Sequence, residues 1–143
     1  MKHAAWIILW TLAGWVHAQA ALVAGPNGGK LVGGPPDQAE VVISEAGFLS
    51  VVFLDEQLKP APAEARLVAV FAQLDQGRQE VAMKREGEQW VSEAPLPLPE
   101  GYTLVVQIRA QAEARPVNVR IQYLMHECGG CSLMEYACTC EEH

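Results

Sequence analysis

Between Val41 and Tyr123 the apolar residues come in short runs, separated by tight polar or Gly-containing clusters. Val41-Val42-Ile43 and the run from Phe48 to Leu54 flank Glu45-Ala46-Gly47, a hairpin-like break. Leu67 to Leu74 is nearly all apolar, which fits either a strand or a helix segment. Val68, Val70 and Phe71 favour the strand, and the unbroken run predicts one buried on both faces. Asp75-Gln76-Gly77-Arg78 then turns the chain into a strand over Glu80 to Arg85, and Glu86-Gly87 turns it again into Gln89 to Ser92. Tyr102, Leu104, Val106 and Ile108 alternate with Thr103, Gln107 and Arg109. Val117, Val119, Ile121 and Tyr123 alternate in the same way with Asn118, Arg120 and Gln122. A period of two buries one face of an antiparallel sheet and wets the other.

This pattern, with no amphipathic helix beside it, predicts an all-β protein: an immunoglobulin-like two-sheet antiparallel sandwich of seven or eight strands. Leu104, Val106, Ile108, Val117, Val119 and Ile121 should face inward, and Trp90 should be at least partly buried. Lys59-Pro60-Ala61-Pro62 and Pro95-Leu96-Pro97-Leu98-Pro99 cannot sit in central strands, because proline has no N–H to give the ladder; they read as extended connections. Gly25 to Pro36 is rich in Gly and Pro and leads into the first strand across the short step Leu31-Val32. It has no strand before it, no helix after it and no G-K-[ST], so it is not read as a phosphate-binding loop.

The two ends of the chain differ from this middle. Met1-Lys2-His3 is a short charged start, Ala4 to Val16 is apolar, and Ala18-Gln19-Ala20 is a small-x-small cleavage pattern. Together they predict a secretory signal peptide over residues 1–20, with the mature protein beginning at Ala21. The apolar run is too short for a membrane span, which needs about 20 residues, so no integral membrane protein is expected. Residues 21–125 would form the β-sandwich and residues 126–143 a Cys-rich tail. The 143-residue chain carries a net charge of −7, and removing Lys2 with the leader makes it more acidic still. Such a charge disfavours nucleic acid as a partner and suits a cation.

The tail holds all four cysteines and both histidines that remain after processing: Cys128, Cys131, Cys138, Cys140, His126 and His143. The spacing C-x2-C-x6-C-x-C lets two half-sites fold back and present soft donors to one Cu(I) or Zn(II) ion, with His126 or His143 replacing one thiolate. Met125 and Met134 are further soft donors nearby. Gly129 and Gly130 can take positive φ and bring the flanking sulfurs to one side. The even cysteine count in an exported chain supports a second reading, two disulfides. A Cys138–Cys140 bridge would close a strained ring. The pairs would therefore be 128 with 138 and 131 with 140, or 128 with 140 and 131 with 138. A loop this short stabilises by roughly 2 to 3 kcal/mol on the chain-entropy estimate, against about 10 to 16 kcal/mol for zinc on four peptide ligands. Redox conditions rather than these magnitudes decide between the two states. The alternation ends sharply at Met125-His126, and nothing before it needs a cysteine, so the sandwich is expected to fold without the tail.

Enzyme readings find little support. Residues 21–125 contain neither His nor Cys, so no Ser-His-Asp or Cys-His arrangement can be built there. Asp37, Asp55, Glu56, Asp75, Glu86 and Glu88 fall mainly at turns or strand ends, where carboxylates are solvated. Cys128-Gly129-Gly130-Cys131 has the C-x-x-C form of a thiol-disulfide oxidoreductase but lacks the βαβ setting and helix N-terminus of that chemistry.

Gly25-Pro26-Asn27-Gly28-Gly29-Lys30-Leu31-Val32, then Val51 to Pro60, then a last strand ending near Tyr123 resemble a small exported β-sandwich module. That module occurs alone or attached to periplasmic adaptor proteins of heavy-metal efflux systems. The resemblance covers about Gly25 to Tyr123. It implies a periplasmic metal-handling or heavy-metal-resistance setting, with an efflux or metal-delivery protein as partner. That group has His in a G-P-H-G-G pattern where this chain has Asn27, so the loop is not expected to ligate metal here. The Cys-rich tail is an addition to the pattern.

Overall fold

The computed structural model describes residues 24–35 and 37–140. The leader predicted for Met1 to Ala20, together with Glu141, Glu142 and His143, lies outside the described residues. Nine strands follow in order: β1 Lys30–Val32, β2 Ala39–Ile43, β3 Leu49–Phe53, β4 Leu67–Leu74, β5 Gly77–Val81, β6 Met83–Glu86, β7 Gln89–Ser92, β8 Thr103–Arg109 and β9 Val117–Gln122. Among the described residues a single 3-10 turn, Glu135–Ala137, comes after these nine strands. They form two antiparallel sheets, β1-β2-β3-β7-β6 and β5-β4-β8-β9.

The core lies between the sheets. Val41, Leu49, Val51 and Phe53 come from the five-stranded sheet, and Val70, Ala72, Leu104, Val106, Ile108 and Ile121 from the four-stranded one. Trp90 is partly buried against this core, as its sequence position predicts. The Pro-rich connection before β8 turns Leu96 inward, while Tyr102 Oη donates to the Pro97 carbonyl.

Three expectations about the strands need correction. The strand predicted over Glu80 to Arg85 is two strands in different sheets, which together with the short β1 raises the count to nine. Val81 pairs with Val70 of β4, whereas Met83 pairs with Ser92 of β7, so the chain changes sheets at Ala82. Residues 77–86 are mostly exposed and polar, and a solvated stretch carries no apolar alternation to mark the crossing. Second, β4 is buried on one face only: Val68, Val70 and Ala72 point inward, while Ala69 and Phe71 are half-buried and Leu67 is exposed. Phe71 tolerates the outer face because the Arg78 guanidinium covers its ring at 3.5 Å. Third, burial fades along β9 from Ile121 through Val119 to Val117, which is 39% exposed. β9 is an edge strand of six residues, and β1, the corresponding edge of the other sheet, has three, so cover runs out along it.

The Gly-rich loop before β1 folds across the outer face of β2 and encloses Glu40, whose side chain is fully buried. A buried carboxylate must be met by donors. The Asn27 and Gly29 backbone N–H groups both donate to Oε1 at 2.8 Å, and Asn27 Nδ2 donates to Oε2 at 2.8 Å. A Cβ on Gly25 would stand 2.2 Å from Glu40 Oε1, so this close wrapping requires glycine. Asn27 is therefore committed to a carboxylate inside the fold.

The sandwich has two open sides, and each is closed. On one, the chain crosses at Ala82 between the edge strands β5 and β6. On the other, the 3-10 turn packs on both β1 and β9, the remaining edge strands.

Candidate metal centre

Past β9 the chain doubles back on itself. Glu135 N–H donates to the His126 carbonyl at 2.8 Å, and Cys128 N–H donates to the Leu133 carbonyl at 2.7 Å. Glu127 and Met134 form an antiparallel bridge between these bonds. The tip, Gly129 to Ser132, carries Cys131 beside Cys128. The 3-10 turn then returns Cys138 and Cys140 to the same place. The positive φ expected at Gly129 and Gly130 falls instead on Ser132, at 57°. Gly130 is needed for a different reason, since a Cβ there would lie 2.6 Å from Cys140 Sγ.

The four sulfurs all lie within 4.8 Å of one another. Cys128 Sγ is 3.0 Å from Cys138 Sγ and 3.8 Å from Cys140 Sγ, and Cys131 Sγ is 3.7 Å from Cys138 Sγ. Zinc–thiolate bonds of about 2.3 Å in a tetrahedron put neighbouring sulfurs about 3.8 Å apart, so the cluster has close to the dimensions of one four-sulfur shell. No disulfide is formed among the described residues.

Backbone donors are aimed at the sulfurs in a repeated register. Gly130 N–H serves Cys128, Leu133 N–H serves Cys131, and Cys140 N–H reaches Cys138 Sγ at 3.3 Å, in each case from two residues on. Thr139 N–H adds a second bond to Cys131. These bonds stabilise negative sulfur, as a thiolate-ligated ion requires.

The thiols titrate as a set, because four charges this close oppose one another. Bonds from the Thr139 and Leu133 backbone hold the Cys131 thiol below its ordinary value. Hydrogen bonding to Cys138 raises Cys128. Cys140 is pushed up to about 12, first by Cys138, then by Cys131 and by burial.

Among the described residues, the other predicted donors, His126, Met125 and Met134, are not part of the sulfur cluster. His126 is exposed and is not in the cluster of converging donor atoms; its carbonyl, rather than its ring, is used in the local ladder. His143 lies outside the described residues. Met125 and Met134 pack against the hydrophobic core.

Against the expectation of a sandwich separate from the Cys-rich segment, Tyr136 packs that segment into the core. This residue is 3% exposed and Ala137 1%, and both belong to the sandwich core. Tyr136 Oη accepts the Ile43 N–H at 2.9 Å, and the Tyr136 N–H donates to the Leu124 carbonyl. Sequence reasoning missed this anchor. Its signal was a lone aromatic residue between the two cysteine pairs, two residues before Cys138.

No known protein family, curated protein or solved structure matches this chain. Fold and site define a two-sheet antiparallel β protein with a C-terminal four-cysteine cluster that could hold a metal ion. No helix among the described residues is long and apolar enough to cross a membrane.

Proposed function

We propose that this is an exported metal-binding protein that holds one zinc(II) ion on Cys128, Cys131, Cys138 and Cys140. The observation that carries the reading is the convergence of four sulfurs within 4.8 Å, at separations close to a tetrahedral edge. A tetrahedral four-sulfur shell suits zinc; copper(I) is the other soft ion that thiolates select. His126 or His143 would replace one thiolate if the Cys138-Thr139-Cys140 geometry could not place both sulfurs on the ion. A closed shell leaves no position for a substrate, so the protein acts as a binder rather than a catalyst. The leader pattern of residues 1–20 supports export, and the resemblance over Gly25 to Tyr123 supports a periplasmic metal-handling setting beside an efflux or delivery partner.

Elemental analysis and thiol titration of one anaerobically purified sample test this. One zinc per chain with four reactive thiols after its removal is expected, and the Cys128→Ser/Cys131→Ser double variant should bind none. Copper in place of zinc would change the ion and keep the site. A second reading, a disulfide-stapled β module, draws on the 3.0 Å approach of Cys128 and Cys138. Metal-free protein without reactive thiols would establish it.

A further inference from the structure

We infer that the bound ion is a structural clamp rather than a cargo: it locks residues 124–140 as a strap across the β1/β9 side of the sandwich, with Tyr136 as the anchor. This rests on the metal reading above.

The strap lies where the sandwich needs closing. β1 and β9 are edge strands, and the 3-10 turn is packed on both. Ile43 stands two residues past Val41, the last β2 residue paired with β1, so its N–H has no strand partner on that side. Tyr136 Oη takes the place of the missing strand. Edge groups left uncovered are open to pairing with another chain, and burying them without a partner is costly.

The strap has little of its own to hold it in place. Its only helical element is three residues long and has no side-chain cap at its start. Its antiparallel pairing is a single bridge flanked by two hydrogen bonds. Tyr136 and Ala137 are buried and Met125 and Met134 pack partly on the core, and against these few contacts stands the conformational entropy of ordering so long a segment.

Ligation supplies what is missing. Cys128 and Cys131 precede Tyr136, and Cys138 and Cys140 follow it. Closing both pairs on one ion fixes the short loop between them, and that loop carries Tyr136 and Ala137 into the core. Metal occupancy and docking of Tyr136 are then linked, each favouring the other. Cys128 is 3% exposed, and Cys131, Cys138 and Cys140 are half-buried. Losing the ion would free the loop that carries Tyr136 and Ala137 into the core, a cost that a carrier would bear at every transfer and that gives a clamp its purpose.

The test compares zinc-loaded protein with the same protein stripped by a chelator under reducing conditions, using amide hydrogen exchange and thermal melting. Exchange of the Ile43 N–H should accelerate at least tenfold on stripping, with a lower Tm, while Val106 in the centre of β8 stays protected. Restoring zinc should reverse both changes. Loss of protection throughout the sandwich would support the clamp in a stronger form. Tyr136→Phe should still bind one zinc per chain but exchange Ile43 faster even when loaded. One bound zinc with unchanged Ile43 protection on stripping would overturn the clamp and leave the metal site standing. A chain that takes up no zinc at all would overturn both, and stoichiometry tells the two failures apart.

Discussion

Gly130 lies so close to Cys140 that a Cβ placed on it would stand 2.6 Å from the Cys140 sulfur, whereas a Cβ on the neighbouring Gly129 would meet nothing within 4 Å. The two glycines look equivalent in sequence but differ in function. One keeps room for a sulfur, and the other only occupies the turn.

Gly130→Ala should therefore push Cys140 out of the four-sulfur shell and weaken zinc binding by at least about tenfold, the expected scale for disturbing a ligand's support. Gly129→Ala should bind zinc like the parent protein. Competition titration against a chromophoric chelator distinguishes them, and equal affinities would show that Cys140 is not a ligand.

Asn27 serves the fold through Glu40. Removing its side chain in Asn27→Ala leaves one oxygen of a buried carboxylate without its donor, which should cost about 1 to 3 kcal/mol in a urea melt. Zinc stoichiometry should not change. A variant that loses metal with its stability intact would place the loop in the metal site after all.

Zinc affinity should fall as pH falls. Cys128 is raised and Cys140 is pushed up to about 12, so these thiols are protonated near neutral pH and must release protons when the ion binds. Cys131, which is lowered, contributes less to this release. In metal-free protein the sign reverses. A raised thiol means that the folded state holds its proton more tightly than the unfolded chain. That stabilisation is complete below the ordinary thiol value of 9.0 and is lost as pH rises towards about 12. Zinc titrations at about pH 6 and about pH 8 should show weaker binding at the lower value; pH-independent affinity would rule out ligation by these thiols.

The unequal burial along β9 gives a test of its register. Ile121→Ala, at a position 1% exposed, should cost about 2 to 5 kcal/mol. Val117→Ala, at a position 39% exposed, should change stability by only about 0.5 kcal/mol. Equal losses at the two sites would mean that β9 is buried along its whole length.

The sequence by itself determined the class of fold and singled out the four cysteines as a cluster. Alternation is a local property: Leu104, Val106 and Ile108 must share a face of any strand that contains them, and that face is the buried one. The C-x2-C-x6-C-x-C spacing likewise nominated the four sulfurs, because all of them lie within one short segment that can fold back on itself.

Only the tertiary structure decided which strands share a sheet and what the C-terminal segment rests on. Val81 pairs with Val70 and Met83 with Ser92 in two local hairpins, but that these hairpins belong to different sheets, with the crossing at Ala82, is decided only when the sheets assemble. On the outer face of β4, Phe71 is half-buried under the Arg78 guanidinium, a contact that the apolar run by itself does not reveal. Tyr136 reads as one aromatic in a Cys-rich stretch until the unpaired Ile43 N–H lies 2.9 Å from its hydroxyl. Polarity along a chain records which side of an element is dry, but it does not record what lies on the other side of the dry interface. That depends on contacts between residues far apart in sequence, and these exist only once the sheets have packed.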